Sequence, residues 1–202
     1  MIRLLQDAGL IIIDVQKGFD DPKWGPRNNP DAEQNIAALL AAWRRTGRPV
    51  FHVQHLSDSE GSPLNPRNPG CEIKEIVRPR ENEEVFQKHV NSAFIGTRLE
   101  DSLHQHGIRT IVIVGLTTPH CVSTSARMAA NLGFEVYMAS DAIAAFEITG
   151  PDGKRYSAEE IHSVSLATLH EEFATVVDSK VLLDATQQGP LSRTEETSQF
   201  SR

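Results

Sequence analysis

Three residues of this chain have types and placements that could do chemistry: Asp14, Lys88 and Cys121. Each stands at the carboxyl end of an apolar run. Asp14 closes LIIIDV (10–15), Lys88 lies in EVFQKH (84–89), and Cys121 follows TIVIV (110–114) within VGLTTPHCVST. A thiol between a strand and a following helix (VSTSARMAANL, 122–132) sits where backbone N–H groups lack partners. Their positive field favours thiolate over thiol. Together the three suit nucleophilic hydrolysis: the carboxylate takes the thiol proton and later activates water, the ammonium holds both charges in place, and the sulfur attacks a carbonyl to give a thioester. Singly, each has a plainer reading: Asp14 as a cap, Lys88 as a solvated edge-strand charge, Cys121 as a small buried hydrophobe.

The elements that would bring them together follow from periodicity. Strands are predicted at 10–15, 49–54, 84–89, 110–115, 134–139 and 174–177. Asn29, Pro30 and Asp31 open a helix with Pro at its first position, and Ile36, Leu39, Leu40 and Trp43 mark its buried face. Further helices are expected at 97–106, 120–132 and 157–172, the last with a Ser157/Glu160 capping box. Strands alternating with helices indicate a three-layer α/β/α domain. In such a sheet, ligands bind at the carboxyl strand ends where strand order reverses. Residues 1–186 read as one domain and 187–202 as a polar, flexible tail. The segments 20–30, 55–84 and 140–156 read as loops that decide the substrate, with a short helix near 73–77.

Composition narrows the classes. The 202 residues carry a net charge of −7, which argues against a nucleic-acid surface. The apolar runs are strand length, too short for a membrane span. Two cysteines, Cys71 and Cys121, and no signal peptide fit the reducing cytoplasm. The first strand is followed by DVQKGF rather than a Gly-rich turn, so no dinucleotide site is expected.

The chain resembles the isochorismatase-like cysteine hydrolases, a family that includes nicotinamidases and N-carbamoylsarcosine, ureidoacrylate and biuret hydrolases. The matching residues are IIIDVQKGF (11–19), K-x-x-x-S-A-F (88–94) with Gly96 and Thr97, GLTTPHCVSTSARMAANLG (115–133), Asp141-Ala142 and FATVV (173–177). The resemblance implies a mostly parallel six-stranded sheet of order 3-2-1-4-5-6 and a triad of Asp14, Lys88 and Cys121. It further implies a cis peptide between Leu116 and Thr117, with the Thr117 and Cys121 amides as oxyanion hole. The implied activity is thioester-mediated cleavage of a non-peptide C–N bond (amide, lactam, ureido or carbamoyl) in a small molecule. Vinyl-ether hydrolysis with Asp14 as general acid stays open, as does a non-catalytic binding subunit. A homo-oligomer, dimer or tetramer, is implied as well.

Substrate-binding candidates are Gln16, Phe19, Trp24, Arg27, His55 and Phe94. Phe19 and Phe94 read equally as pocket wall or core. Trp24 and Arg27 could hold a planar or carboxylate group, or belong to a solvated loop. His120 precedes the nucleophile, so its side chain is expected to leave in another direction. His52 and His55, three apart, would face opposite sides of a strand. Nicotinamidases hold a metal here with one Asp and two His. In this chain Asp58 follows His55 but no second His does, so no metal or other cofactor is expected, and nicotinamide is disfavoured as the main substrate.

Overall fold

The computed structural model describes residues 6–187, so the segment from 188 onward lies outside the described residues. Six parallel strands form one sheet in the spatial order β3-β2-β1-β4-β5-β8. They are β1 (Gly9–Ile13), β2 (Val50–His55), β3 (Glu84–Lys88), β4 (Thr110–Leu116), β5 (Glu135–Ala144) and β8 (Thr175–Val177). A small antiparallel hairpin, β6 (Ile148–Thr149) with β7 (Arg155–Tyr156), stands apart from it. Setting the hairpin aside, the sheet order is the expected 3-2-1-4-5-6.

Period-two alternation divides the core between two faces. Ile11, Ile13, Phe51, Val53, Ile111 and Ile113 pack with helices α2 (Leu99–Gln105) and α3 (Ser123–Asn131). Leu10, Ile12, Val112 and Val114 face α1 (Ala32–Thr46) and α5 (Ser179–Gln187). Ile36, Leu39, Leu40 and Trp43 of α1 are all buried there, as their spacing predicts. Helix α4 (Ala158–Ala167) begins with the Ser157/Glu160 capping box. Among the described residues no helix is long and apolar enough to cross a membrane.

Several boundaries differ from expectation. Asp31 is the N-cap of α1, so Pro30 precedes the helix rather than opening it. The predicted helix 120–132 is split: Thr118–Val122 is a π turn, and α3 follows it. Strand β5 runs on into the segment read as a loop. A register shift opposite Ile113 and Gly115 lets it re-pair, Gly115 with Ile143 and Leu116 with Ala144. Helix α4 stops short of 172, and Glu171 takes a left-handed φ of 68°. Near 73–77 the loop holds a 3-10 turn, Glu75–Val77, and a second one lies at Pro69–Cys71.

Gly115 of β4 pairs with Ile13 of β1. Its φ is 125°, and a Cβ there would lie 2.0 Å from the Ile13 carbonyl oxygen. Gly115→Ala is therefore expected to lower unfolding free energy by roughly 3 kcal/mol or more, read from the urea midpoint. A midpoint equal to the parent's would show that the two central strands can part at no cost.

Candidate active site

Strand order reverses around β1, which has β2 on one side and β4 on the other. Asp14 follows β1, and Cys121 follows β4 on the π turn. Lys88 ends β3, two strands away, and reaches back past β2. The three side chains meet at this reversal. Lys88 Nζ donates to Asp14 Oδ2 at 2.7 Å and lies 3.3 Å from Cys121 Sγ. It also donates to the Val90 carbonyl and to His55 Nδ1, both at 3.1 Å.

Asp14 has a positive φ of 52°, uncommon for a residue with a side chain. Its amide donates to the Val53 carbonyl of β2, and its own carbonyl accepts from the Gln16 amide, so β2 and a tight turn after β1 hold this conformation. The carboxyl group is fully buried, and its Oδ1 has no partner. Burial raises its pKa above the ordinary 3.8, while the Lys88 charge and hydrogen bonds from Lys88 and Cys121 pull the other way. The outcome is a carboxylate of more than usual basicity.

The expected thiolate field is overruled. Burial first, then the neighbouring Asp14 charge, push the Cys121 thiol up to about 12, against the pull of Lys88. Cys121 begins no α-helix: it lies inside a π turn, and the Asp14 carboxylate stands within 4.8 Å of its sulfur. The sulfur rests as a thiol and needs a base at the moment of attack.

Asp14, His55 and Cys121 also offer ligand-type atoms within 4.8 Å of one another, a spacing that suits a cation. The Lys88 ammonium contacts all three of these groups, so the cradle is filled from within the chain. A metal ion would have to displace a paired, buried ammonium.

In front of Cys121 opens a cavity of about 540 Å³. All three loops named from sequence contribute to its wall: Lys23 and Trp24, then Ser57 and Leu64, then Phe146 to Thr149. Of the candidates, Phe19, Trp24, His55 and Thr117 line it. Phe19, Trp24 and Phe146 form one aromatic cluster with ring centroids 5.4–6.2 Å apart. The Leu116–Thr117 peptide is cis. The Thr117 carbonyl accepts from the amides of His120 and Val122, which folds the turn that carries the thiol.

Asp14 and Lys88 are buried and do not line the cavity, and neither do three of the six substrate-binding candidates. Arg27 makes a two-pronged ion pair with Glu33, at 2.8 and 2.6 Å, and bonds the Asn29 carbonyl. Burial pushes Glu33 up, but Arg27 and Lys74 more than offset it and hold it at about 2, so this arginine is committed. Phe94 stacks on Phe134 inside the core, where the α2 and α3 side of the sheet needs filling. Gln16 is buried, and its amide grips the backbone of His55 and Cys71 rather than facing the cavity. Conversely, His120 lines the cavity with Nδ1 3.1 Å from Thr117 Oγ1, because the π turn swings it inward. Asn91, whose Oδ1 lies 3.7 Å from Cys121 Sγ, was not foreseen. Its place between Lys88 and the S-A-F triplet was the available signal.

A parallel sheet with carboxylate, ammonium and thiol gathered at its point of strand reversal defines the class: a doubly wound α/β protein with a candidate nucleophile on a turn at its switch point. Residues 8–181 match the Isochorismatase domain, and the chain belongs to the isochorismatase family of hydrolases. It is 53% identical to the isochorismatase family protein YrdC of Bacillus subtilis, over 89% of this chain and 96% of that one. The crystal structure of an isochorismatase-family protein from Chromobacterium violaceum is similar with a TM-score of 0.89. The two share 43% identity over 92% of this chain and 97% of the other. More distantly, a maleamate amidohydrolase of Pseudomonas putida is 28% identical over 89% of this chain and 85% of its own.

Proposed function

We propose that this chain is a cysteine-dependent hydrolase that cleaves a non-peptide C–N bond (amide, lactam, ureido or carbamoyl) of a small molecule through a thioester intermediate. The observation that carries this reading is the Lys88 ammonium held in contact with both the Asp14 carboxylate and the Cys121 sulfur, at 2.7 and 3.3 Å, beside a substrate-sized cavity. Its likeness to an amidohydrolase points the same way.

In the first step Asp14 removes the thiol proton as sulfur attacks the carbonyl carbon. The raised basicity of Asp14 suits that transfer. The tetrahedral oxyanion is received by the amides of Thr117 and Cys121, each worth roughly 3 kcal/mol of barrier. Asp14, now protonated, gives its proton to the leaving nitrogen, the C–N bond breaks, and a thioester remains on Cys121. Water then attacks the thioester carbonyl with Asp14 as base, and the thiol is restored with the acid product released. Throughout, the Lys88 side chain lies beside whichever of the two anions is present.

The test is mass spectrometry of protein acid-quenched during turnover with a panel of small amides, lactams, ureas and carbamoyl compounds. The expected result is an acyl or carbamoyl mass on the peptide holding Cys121 and none on the Cys71 peptide. Vinyl-ether hydrolysis without any adduct would replace this reading by acid catalysis through Asp14, whose carboxyl retains a proton to higher pH than usual because of its burial.

A further inference from the structure

His55 touches the Lys88 ammonium directly, yet the hydrolytic steps above leave it without a task. Its position is determined from both ends. As the last residue of β2 it pairs in register with Lys88 on β3, so the two side chains emerge side by side from neighbouring strands. Its backbone is clamped by the buried Gln16 amide. The His55 amide donates to Gln16 Oε1 at 2.9 Å, and Gln16 Nε2 donates to the His55 carbonyl at 2.9 Å and to the Cys71 carbonyl at 2.8 Å. Gln16 thus completes for His55 a strand-like pair of hydrogen bonds just where β2 ends.

The hydrogen-bond count at Lys88 gives the imidazole its role. An ammonium has three protons and accepts nothing. Four groups surround Nζ: Asp14 Oδ2, the Val90 carbonyl, His55 Nδ1 and Cys121 Sγ. Three protons serve four acceptors, so none is owned outright, and how Nζ sits against the sulfur at 3.3 Å depends on where the other three hold it. Nδ1 facing an ammonium must present its lone pair, so the ring proton sits on Nε2. Burial, then the Lys88 charge, hold the imidazole pKa down to about 4, which keeps that lone pair available at neutral pH. Nearby, His89 and Asp58 are engaged with one another at 3.0 Å.

We infer that His55 is a positioning residue: its neutral Nδ1 takes one of the three ammonium protons of Lys88 and thereby fixes Nζ between Asp14 and the Cys121 sulfur. Without that acceptor the ammonium can tilt toward Asp14 and Val90 alone, and the sulfur loses its nearest positive charge as it ionises. The consequence for turnover rests on the hydrolytic reading; the consequence for the thiol does not.

The experiment has two arms. The first compares His55→Leu, which removes the acceptor, with His55→Asn, whose Oδ1 can stand in for Nδ1. Alkylation of Cys121 by iodoacetamide is followed from pH 6 to pH 10 by mass spectrometry, with no substrate present. The leucine variant is expected to react about tenfold to a hundredfold more slowly throughout that range, the size expected of a misplaced group. The asparagine variant is expected to recover most of the rate. On an amide that the parent enzyme cleaves, kcat should fall with the alkylation rate while KM stays within about twofold. Parent-like alkylation in folded His55→Leu, no recovery in His55→Asn, or a raised KM with kcat intact would overturn the proposal, the last making His55 a substrate contact. The second arm needs no variant. In 15N-histidine NMR of the parent at pH 7, His55 should be the Nε2–H tautomer, and a proton on Nδ1 would end the argument. Should no amide be cleaved by the parent, the hydrolytic reading fails, while alkylation and tautomer still judge His55.

Discussion

Cys121→Ala is expected to lose at least about 10⁴-fold in turnover while remaining folded. Removing the nucleophile of a thioester mechanism leaves only the cavity and the oxyanion donors, and losses of that order or larger accompany loss of a covalent nucleophile. The structural cost is small. The side chain sits in the cavity wall, and the Asp14–Lys88 pair persists without the sulfur. One sulfur lost from a wall that already faces a cavity costs about 1 kcal/mol. Product formation measured beside a thermal melt checks both halves. Parent-like rates from the alanine variant would take the sulfur out of the reaction altogether.

Lys88→Met is expected to destabilise the protein by about 3–5 kcal/mol at neutral pH, because it leaves a fully buried carboxylate without its counter-charge. The loss should depend on pH in a defined direction. Burial already makes folded Asp14 hold its proton to higher pH than the unfolded chain, whose value is 3.8. Its contribution to stability is complete below that value and declines as pH rises through the folded one. Without Lys88 the folded pKa rises further, so the decline becomes deeper and extends to higher pH. Urea midpoints at pH 5 and pH 7.5 read this: the gap between variant and parent should narrow on acidification. An equal gap at both would mean that Asp14 does not carry the cost.

Where sequence reasoning succeeded, it relied on properties local to one element. Asp14, Lys88 and Cys121 were legible because each stands next to a strand's carboxyl end, and a parallel sheet gathers such ends on one rim. It failed where a side chain's partner comes from the path of a loop. Arg27 has the residue type for holding a carboxylate, but the carboxylate it holds is Glu33, brought round by the turn before α1. Gln16 belongs to the expected stretch, but its function is to close backbone gaps in a segment some forty to fifty-five residues on. His120 was expected to point away because it directly precedes the nucleophile, but the π turn brings it to the cavity wall. The thiol's state was misjudged for a physical reason: a helix-end field was weighed, but burial beside a carboxylate was not.

The sheet order anchors Asp14, Lys88 and Cys121 unequally. Asp14 and Cys121 are anchored to β1 and β4, each flanked on both sides, while Lys88 belongs to β3, which is bonded along only one margin and exposes Glu84, Val85 and Gln87. Margins of a sheet open first. The ammonium is thus the member of the trio whose anchorage is least enclosed, and mild denaturant is expected to loosen that peripheral ribbon before the interior melts.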